Sequence, residues 1–200
     1  YDQAFQLYGT QFFFGGPVAI DYESEPDPDL IPFLPDSARG FSFGNQNTLI
    51  ETSRKLFLGA NHAIPRWAIE EEKGYDNLGT IGKNCGFIGE ETRLQEKLLQ
   101  AGLKGIYIAN ATVWHFVPKD SCNEQWLLDR YYRRGLTEGS ISSDPSRRFM
   151  GVPVWIWRSQ IENTLRHWKL ILSGSSRSQH LAISLESKRL QGLIDSYRPH

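Results

Sequence analysis

The sequence predicts a mixed α/β fold, with short strands and helices through residue 140 and amphipathic helices after it. Three observations carry this. First, 200 residues with 40% apolar and 12% aromatic side chains can build a real core in one domain of ordinary size. Second, short runs of Phe, Ile and Val alternate with stretches whose apolar residues recur at helical spacing. Third, helical periodicity dominates from residue 141 onward. The same composition argues against disorder, a collagen-like repeat or a disulfide-stapled miniprotein.

The elements follow in order. Leu7 to Phe14 reads as a strand stopped by Gly15-Gly16-Pro17, and Val18-Ala19-Ile20 as a second one. Asp21 to Pro35 mixes five acidic residues with four prolines, which no helix or central strand tolerates. Pro65 suits a first helical position, Trp67, Ala68 and Ile69 supply apolar surface, and Gly74 is a natural cap. Lys73-Gly74-Tyr75-Asp76 and then a flexible run from Gly79 to Asn84 follow. Leu94, Leu98 and Ala101 mark a helix from about Thr92 that Gly102 closes. Lys104 to Ala109 and Thr112 to Val117 read as strands. Trp126, Leu127, Tyr131 and Leu136 mark a helix interrupted by Gly135. In the tail, Val154 to Leu172 and then Leu181 to Ile194 are amphipathic, with a break at Gly174-Ser175-Ser176.

Charge divides the chain. Residues 1–140 carry 13 basic and 19 acidic side chains, whereas 141–200 carry 9 basic and 4 acidic. The expected domains are therefore an acidic body, 1–140, and a basic helical tail, 141–200, facing different partners. A formal net charge of −1 makes a general nucleic-acid binder unsuitable, since phosphate neutralisation needs surplus Lys and Arg. Cys85 and Cys122 lack metal-ligand spacing and read as reduced thiols in an intracellular protein. No signal peptide opens the sequence, and no apolar run approaches the roughly 20 residues that span a bilayer. With no initiator Met and a single Met overall, the sequence reads as a piece of a longer chain.

Gly89-Glu90-Glu91-Thr92 sets two acids at a helix start, where free N–H groups and the helix dipole favour negative charge by about 0.3–1 kcal/mol. They serve either as charge complementation or as a general base on a rigid element. A hydrolase built on these two alone is unsuitable, because adjacent carboxylates do not face each other across a scissile bond. His115 is either a core residue or a ligand. Gly59-Ala60-Asn61 is either a loop with an Asn cap or a pocket lining.

The order of the blocks adds a resemblance. The chain reads GGPV, then LFLGANHAIPRWAIEEEKGYDNLG, then FIGEETRLQEKLLQAGLKGIYIANATVWHFVP, then EQWLLDRYYRRG. This resembles the second half of the catalytic domain of family-2 glycosyltransferases, from roughly Phe13 to Gly139. There a GANMAFRR-like segment, a GGFDE-like end, a GEDTEL-like helix start, a hairpin with a VVYHRVP-like strand and a WLLRRAYRQG-like helix succeed one another. Each block alone is weak; the ordered set is specific.

The resemblance implies a partial GT-A-type, Rossmann-like domain with a short mixed sheet, lacking its N-terminal nucleotide-binding half, plus the helical tail. It implies inverting transfer of a sugar from a nucleotide-sugar donor to the hydroxyl of a saccharide or lipid-linked acceptor. Glu91 stands where the family has a catalytic Asp, and a longer side chain shifts the carboxylate by roughly 1 Å. Glu90 would contact acceptor or structure. Gly59, Ala60 and Asn61 would line the sugar pocket, and Trp126, Arg130 and Arg134 would lie near acceptor or diphosphate. His115 would ligate Mg²⁺ or Mn²⁺ beside the leaving diphosphate. Asp27-Pro28-Asp29 fits the family's D-x-D pattern, but its Pro-rich loop downstream of GGPV marks it as a decoy. The isolated chain is expected to be inactive if the donor-binding half is absent. The tail, with Trp155, Trp157 and Trp168, suits the anionic inner face of a membrane or packs on protein. The expected location is the cytoplasm, peripheral to that membrane. The alternative function is a non-catalytic membrane-docking or protein-interaction module.

Overall fold

The computed structural model describes residues 1–54, 56–72, 89–142 and 144–198, which form a mixed α/β protein. Within them, residues 1–24, 34–72 and 89–118 make one compact unit, and 25–33 with 119–198 make another. The first is α/β and the second helical. The expected cap at Gly74, the flexible run from Gly79 to Asn84 and Cys85 lie outside the described residues.

Strand β1 (Phe12–Gly15) is the spine of the first unit. Phe13 and Phe14 are both fully buried, because successive strand residues face opposite ways and both faces are covered. Phe13 meets Leu94 and Leu98 of α4 (Glu90–Gln100), with Phe57 and Tyr107. Phe14 meets Ala4 of α1 (Asp2–Tyr8) and stacks edge-on with Phe5 at 4.6 Å. Helices therefore cover both faces of the sheet. Residues Leu7 to Phe14 carry a strand-like pattern, yet strand begins only at Phe12. Ala4, Phe5 and Tyr8 share a helical face that packs towards Phe14, and Gly9, at φ 80°, ends that helix.

β1 pairs in parallel with β5 (Lys104–Tyr107) and antiparallel with β4 (His62–Ala63), while β3 (Thr48–Ile50) pairs antiparallel with β5. The order is β3-β5-β1-β4. A second parallel pair joins β2 (Val18–Tyr22) to β6 (Val113–Val117), in the register Val18 to Val113 and Ile20 to His115. The two ladders continue one another across a break. Ile108 N–H donates to Gly15 O at 2.8 Å before it, and Val113 N–H donates to Pro17 O at 3.0 Å after it. Two short helices complete the unit, α2 (Asp36–Arg39) and α3 (Arg66–Glu71).

The helical unit holds α5 (Glu124–Ile141), a hairpin of β7 (Arg148–Phe149) and β8 (Val152–Pro153), α6 (Val154–Ser173) and α7 (Arg177–Ser196). Gly135 does not interrupt α5. A Cβ there would collide with the Arg189 carbonyl, and one at Gly192 with the Tyr132 carbonyl. The paired glycines let the two backbones touch, so α5 groups with α7 in the helical unit. Buried Asn163 ties α6 to α7, its Nδ2 donating to Ile183 O at 3.0 Å and Ser187 Oγ at 2.8 Å. Ser176 and Gln179 form a capping box at the start of α7. Among the described residues no helix is long and apolar enough to cross a membrane.

Candidate functional site

The carboxylates sit at the start of α4, two residues earlier than the periodicity suggests. Gly89 precedes the helix in the left-handed conformation, at φ 88°, which favours glycine. Glu90 and Glu91 then occupy the first turn, where unpaired N–H groups and the dipole favour anions. Leu94 and Leu98 anchor this helix in the core. Because α4 runs back into β5 through a short turn, its N-terminus lies towards the carboxyl ends of the parallel strands, where open α/β sheets hold ligands.

One turn after Glu91, Gln95 is fully buried. Its Oε1 accepts from Phe57 N–H at 2.8 Å, and its Nε2 donates to Phe57 O at 2.9 Å. This two-point bond fixes the segment that enters Gly59. A Cβ on Gly59 would lie 3.2 Å from Glu91 Cγ and 3.4 Å from Cδ. The Glu91 side chain thus lies against the exposed Gly59 backbone.

Asn61 sits beneath that rim and is buried. Its Nδ2 donates to Pro17 O at 2.8 Å and to Ala111 O at 2.6 Å, and its Oδ1 accepts from the Tyr1 hydroxyl at 2.5 Å. Both amide hydrogens therefore go to backbone carbonyls of the two segments that bridge the break, one between β1 and β2 and one between β5 and β6. Asn61 is a pin. Gly16 fits the same arrangement, since a Cβ there would come within 2.9 Å of Asn61 Nδ2. Burial pushes the Tyr1 phenol up to about 12, with Tyr107 adding to the effect.

His115 lies on β6, four residues beyond the Ala111 carbonyl that Asn61 holds. The ring is half-buried, and its Nδ1 is buried without a hydrogen-bond partner. Trp114 and Phe116 point to the other, exposed face of the strand. An orphaned nitrogen can serve as one ligand, but a hard divalent cation prefers oxygen donors and more than one of them. Among the described residues no group of three or more His, Cys, Asp or Glu could hold a metal ion. The side chains described do not by themselves complete a site for Mg²⁺ or Mn²⁺.

Trp126, Arg130 and Arg134 belong to the helical unit and recur at one-turn spacing along α5. The Arg130 guanidinium lies 5.4 Å from the Trp126 ring centre, and Arg134 Nε pairs with Glu138 at 2.7 Å. Arg189 joins the same Glu138 and Glu186, and its hydrogen bonds to Glu186 raise it further above its ordinary range. Asp27 of the D-x-D match is held by its surroundings. Its carboxylate accepts from Asp29 N–H at 3.0 Å and from Arg177 at 2.6 Å, which keep it below the usual carboxylate range. Cys122 is buried, and burial pushes its thiol up.

The structure thus joins Glu90, Glu91, Gly59, Ala60 and Asn61 around one end of the α/β unit. Gln95, Phe57 and Tyr1 complete that arrangement without being singled out by sequence. One signal did exist for Gln95: a polar residue between Leu94 and Leu98 on the apolar stripe of α4. No family model, no curated protein and no solved structure matches this chain.

Proposed function

We propose that this chain carries the base-bearing, acceptor side of an inverting glycosyltransferase with a GT-A-type catalytic domain. The observation that carries the reading is Glu91, held in the first turn of α4 against Gly59 of the GAN segment. The ordered motifs around it support the same assignment. In this reading the acceptor hydroxyl oxygen attacks the anomeric carbon of a nucleotide sugar. The carbon–oxygen bond to the diphosphate breaks, its electron pair leaves with the nucleotide, and Glu91 takes the hydroxyl proton. Such general-base assistance is worth about 10²–10⁴-fold.

The chain's own residues then have distinct tasks. Gln95 and Asn61 position rather than react: one fixes the approach to Gly59, the other holds the strands at the break. Gly59 and Ala60 offer exposed backbone to a sugar ring. Glu90 strengthens the negative field at the helix start. A divalent cation would neutralise the leaving diphosphate, with His115 as one candidate ligand. The second reading, a non-catalytic interaction module, is favoured by the exposed apolar surface of α6.

The test is nucleotide release from a panel of nucleotide sugars with Mg²⁺ or Mn²⁺, using the protein at its full natural length. Glu91→Gln should lower turnover about 100-fold or more while leaving the melting temperature unchanged. Undiminished turnover in that variant removes Glu91 as the base. No release from any donor favours the second reading.

A further inference from the structure

Helix α6 buries one face and presents an apolar stripe on the opposite one. Ile156 and Asn163 face α7 and its neighbours. On the far side, Ile161, Leu165, Trp168 and Leu172 recur at one-turn spacing and are 57 to 86% exposed. With half-buried Trp157 they make a band about 22 Å long. The hairpin that leads into α6 extends it. Its tip carries Phe149 at 60% and Met150 at 78% exposure, and Trp157 Nε1 donates to Phe149 O at 3.1 Å. Soluble surfaces rarely leave so many large apolar groups in one line.

One margin of the band, and the segment around it, is rich in cations. Between residues 147 and 173 there are five basic side chains, Arg147, Arg148, Arg158, Arg166 and Lys169, against a single acid, Glu162. By helical angle Arg158 and Lys169 flank the stripe on one side, with Glu162 and then Arg166 beyond them. We propose that the β7–β8 tip and the outer face of α6 form a docking surface for an anionic lipid bilayer, α6 lying in the plane of the headgroups. Charge complementarity selects this occupant. A second copy seated on the same stripe would oppose like charges, whereas anionic headgroups match them. Tryptophans and long cationic side chains suit that layer, where one end of each is apolar and the other wet. This goes beyond the catalytic reading and does not rest on it.

Co-sedimentation of the 200-residue chain with vesicles of phosphatidylcholine, with and without phosphatidylglycerol, tests the proposal. Binding is expected only to the anionic vesicles, weakening as salt is added. Leu165→Glu with Trp168→Glu, and separately Arg158→Glu with Lys169→Glu, should each reduce binding at least about tenfold at unchanged circular dichroism. Quenching of tryptophan fluorescence by brominated lipid should occur with the unaltered protein, so the test survives a poorly folding variant. Failure to bind anionic vesicles at low salt overturns the proposal. So does binding that both double variants leave intact, or a dimer that Trp168→Glu dissociates. None of these outcomes bears on turnover, which Glu91→Gln reports separately.

Discussion

Gln95 and Phe57 hold each other by two hydrogen bonds, side-chain amide to backbone amide, both in a fully buried setting. The bond does the work of a strand pairing between a helix and a loop. It fixes the distance between α4, which carries Glu91, and the segment entering Gly59. Gln95→Leu keeps the volume but leaves the Phe57 N–H and C=O unsatisfied. Each such buried group costs about 1–3 kcal/mol. We expect a loss of roughly 2–4 kcal/mol in urea unfolding, with Gln95→Met no better because it also lacks the amide.

Gly59 lies on the exposed rim, and the three atoms nearest to a side chain there all belong to Glu91. Gly59→Ala sets its methyl 3.2 Å from Glu91 Cγ, tight enough to push the carboxylate by a few tenths of an ångström. Catalysis is sensitive to displacements of that order, about 100-fold for a full 1 Å. The expected outcome is a several-fold fall in kcat, larger for Gly59→Val, at an unchanged melting temperature. Unchanged kcat in both variants would mean that Glu91 does not act from this position.

Asn61 and Tyr1 form a hydrogen-bonded pair inside the α/β unit. Asn61→Ala removes the Nδ2 donor from the Ala111 carbonyl and one of two donors from the Pro17 carbonyl, which keeps Val113 N–H, and should lower the melting temperature by several degrees; a residue that only bound sugar would raise KM instead. The Tyr1 phenol has a testable pH signature. Its proton is held to about 12 in the folded chain, against 10.0 ordinarily, because burial disfavours the phenolate. The folded state therefore binds this proton where the unfolded state releases it. Stability from Tyr1 is complete below pH 10 and is lost as pH rises from about 10 to 12. Urea midpoints measured across that window should fall less steeply in Tyr1→Phe than in the parent.

Much of the fold was legible because period and punctuation agreed. Leu94 and Leu98 with Gly102 fixed α4, and the Gly174-Ser175-Ser176 break separated α6 from α7 where the structure does. The α1 helix was hidden because Leu7, Tyr8 and Phe12 to Phe14 were read as one apolar run despite the Gly9-Thr10-Gln11 interruption, and packing on Phe14 decides for helix. The motif residues of the site came together, Glu91 with Gly59 above all. What holds them did not show. A buried Gln or Asn is recognised by the backbone groups it satisfies, and those lie 38 to 50 residues away in sequence.

Gly135 offers a prediction in which local and tertiary rules have opposite signs. In the middle of an exposed helix, Gly→Ala stabilises by about 1 kcal/mol. Here the added Cβ would strike the Arg189 carbonyl of α7, which is backbone and cannot swing aside. Forcing α5 and α7 apart also strains the Arg189 to Glu138 ion pair and loosens the packing of nearby Leu193. Overpacking of this kind costs about 1–3 kcal/mol, which exceeds the propensity gain. Gly135→Ala should therefore destabilise the protein, and Gly192→Ala, which meets the Tyr132 carbonyl, should do the same. The pair should be less than additive, because the first substitution already opens the contact the second would crowd. Chemical denaturation of both single variants and the double measures this, and a stabilised Gly135→Ala would show that the two helices do not touch there.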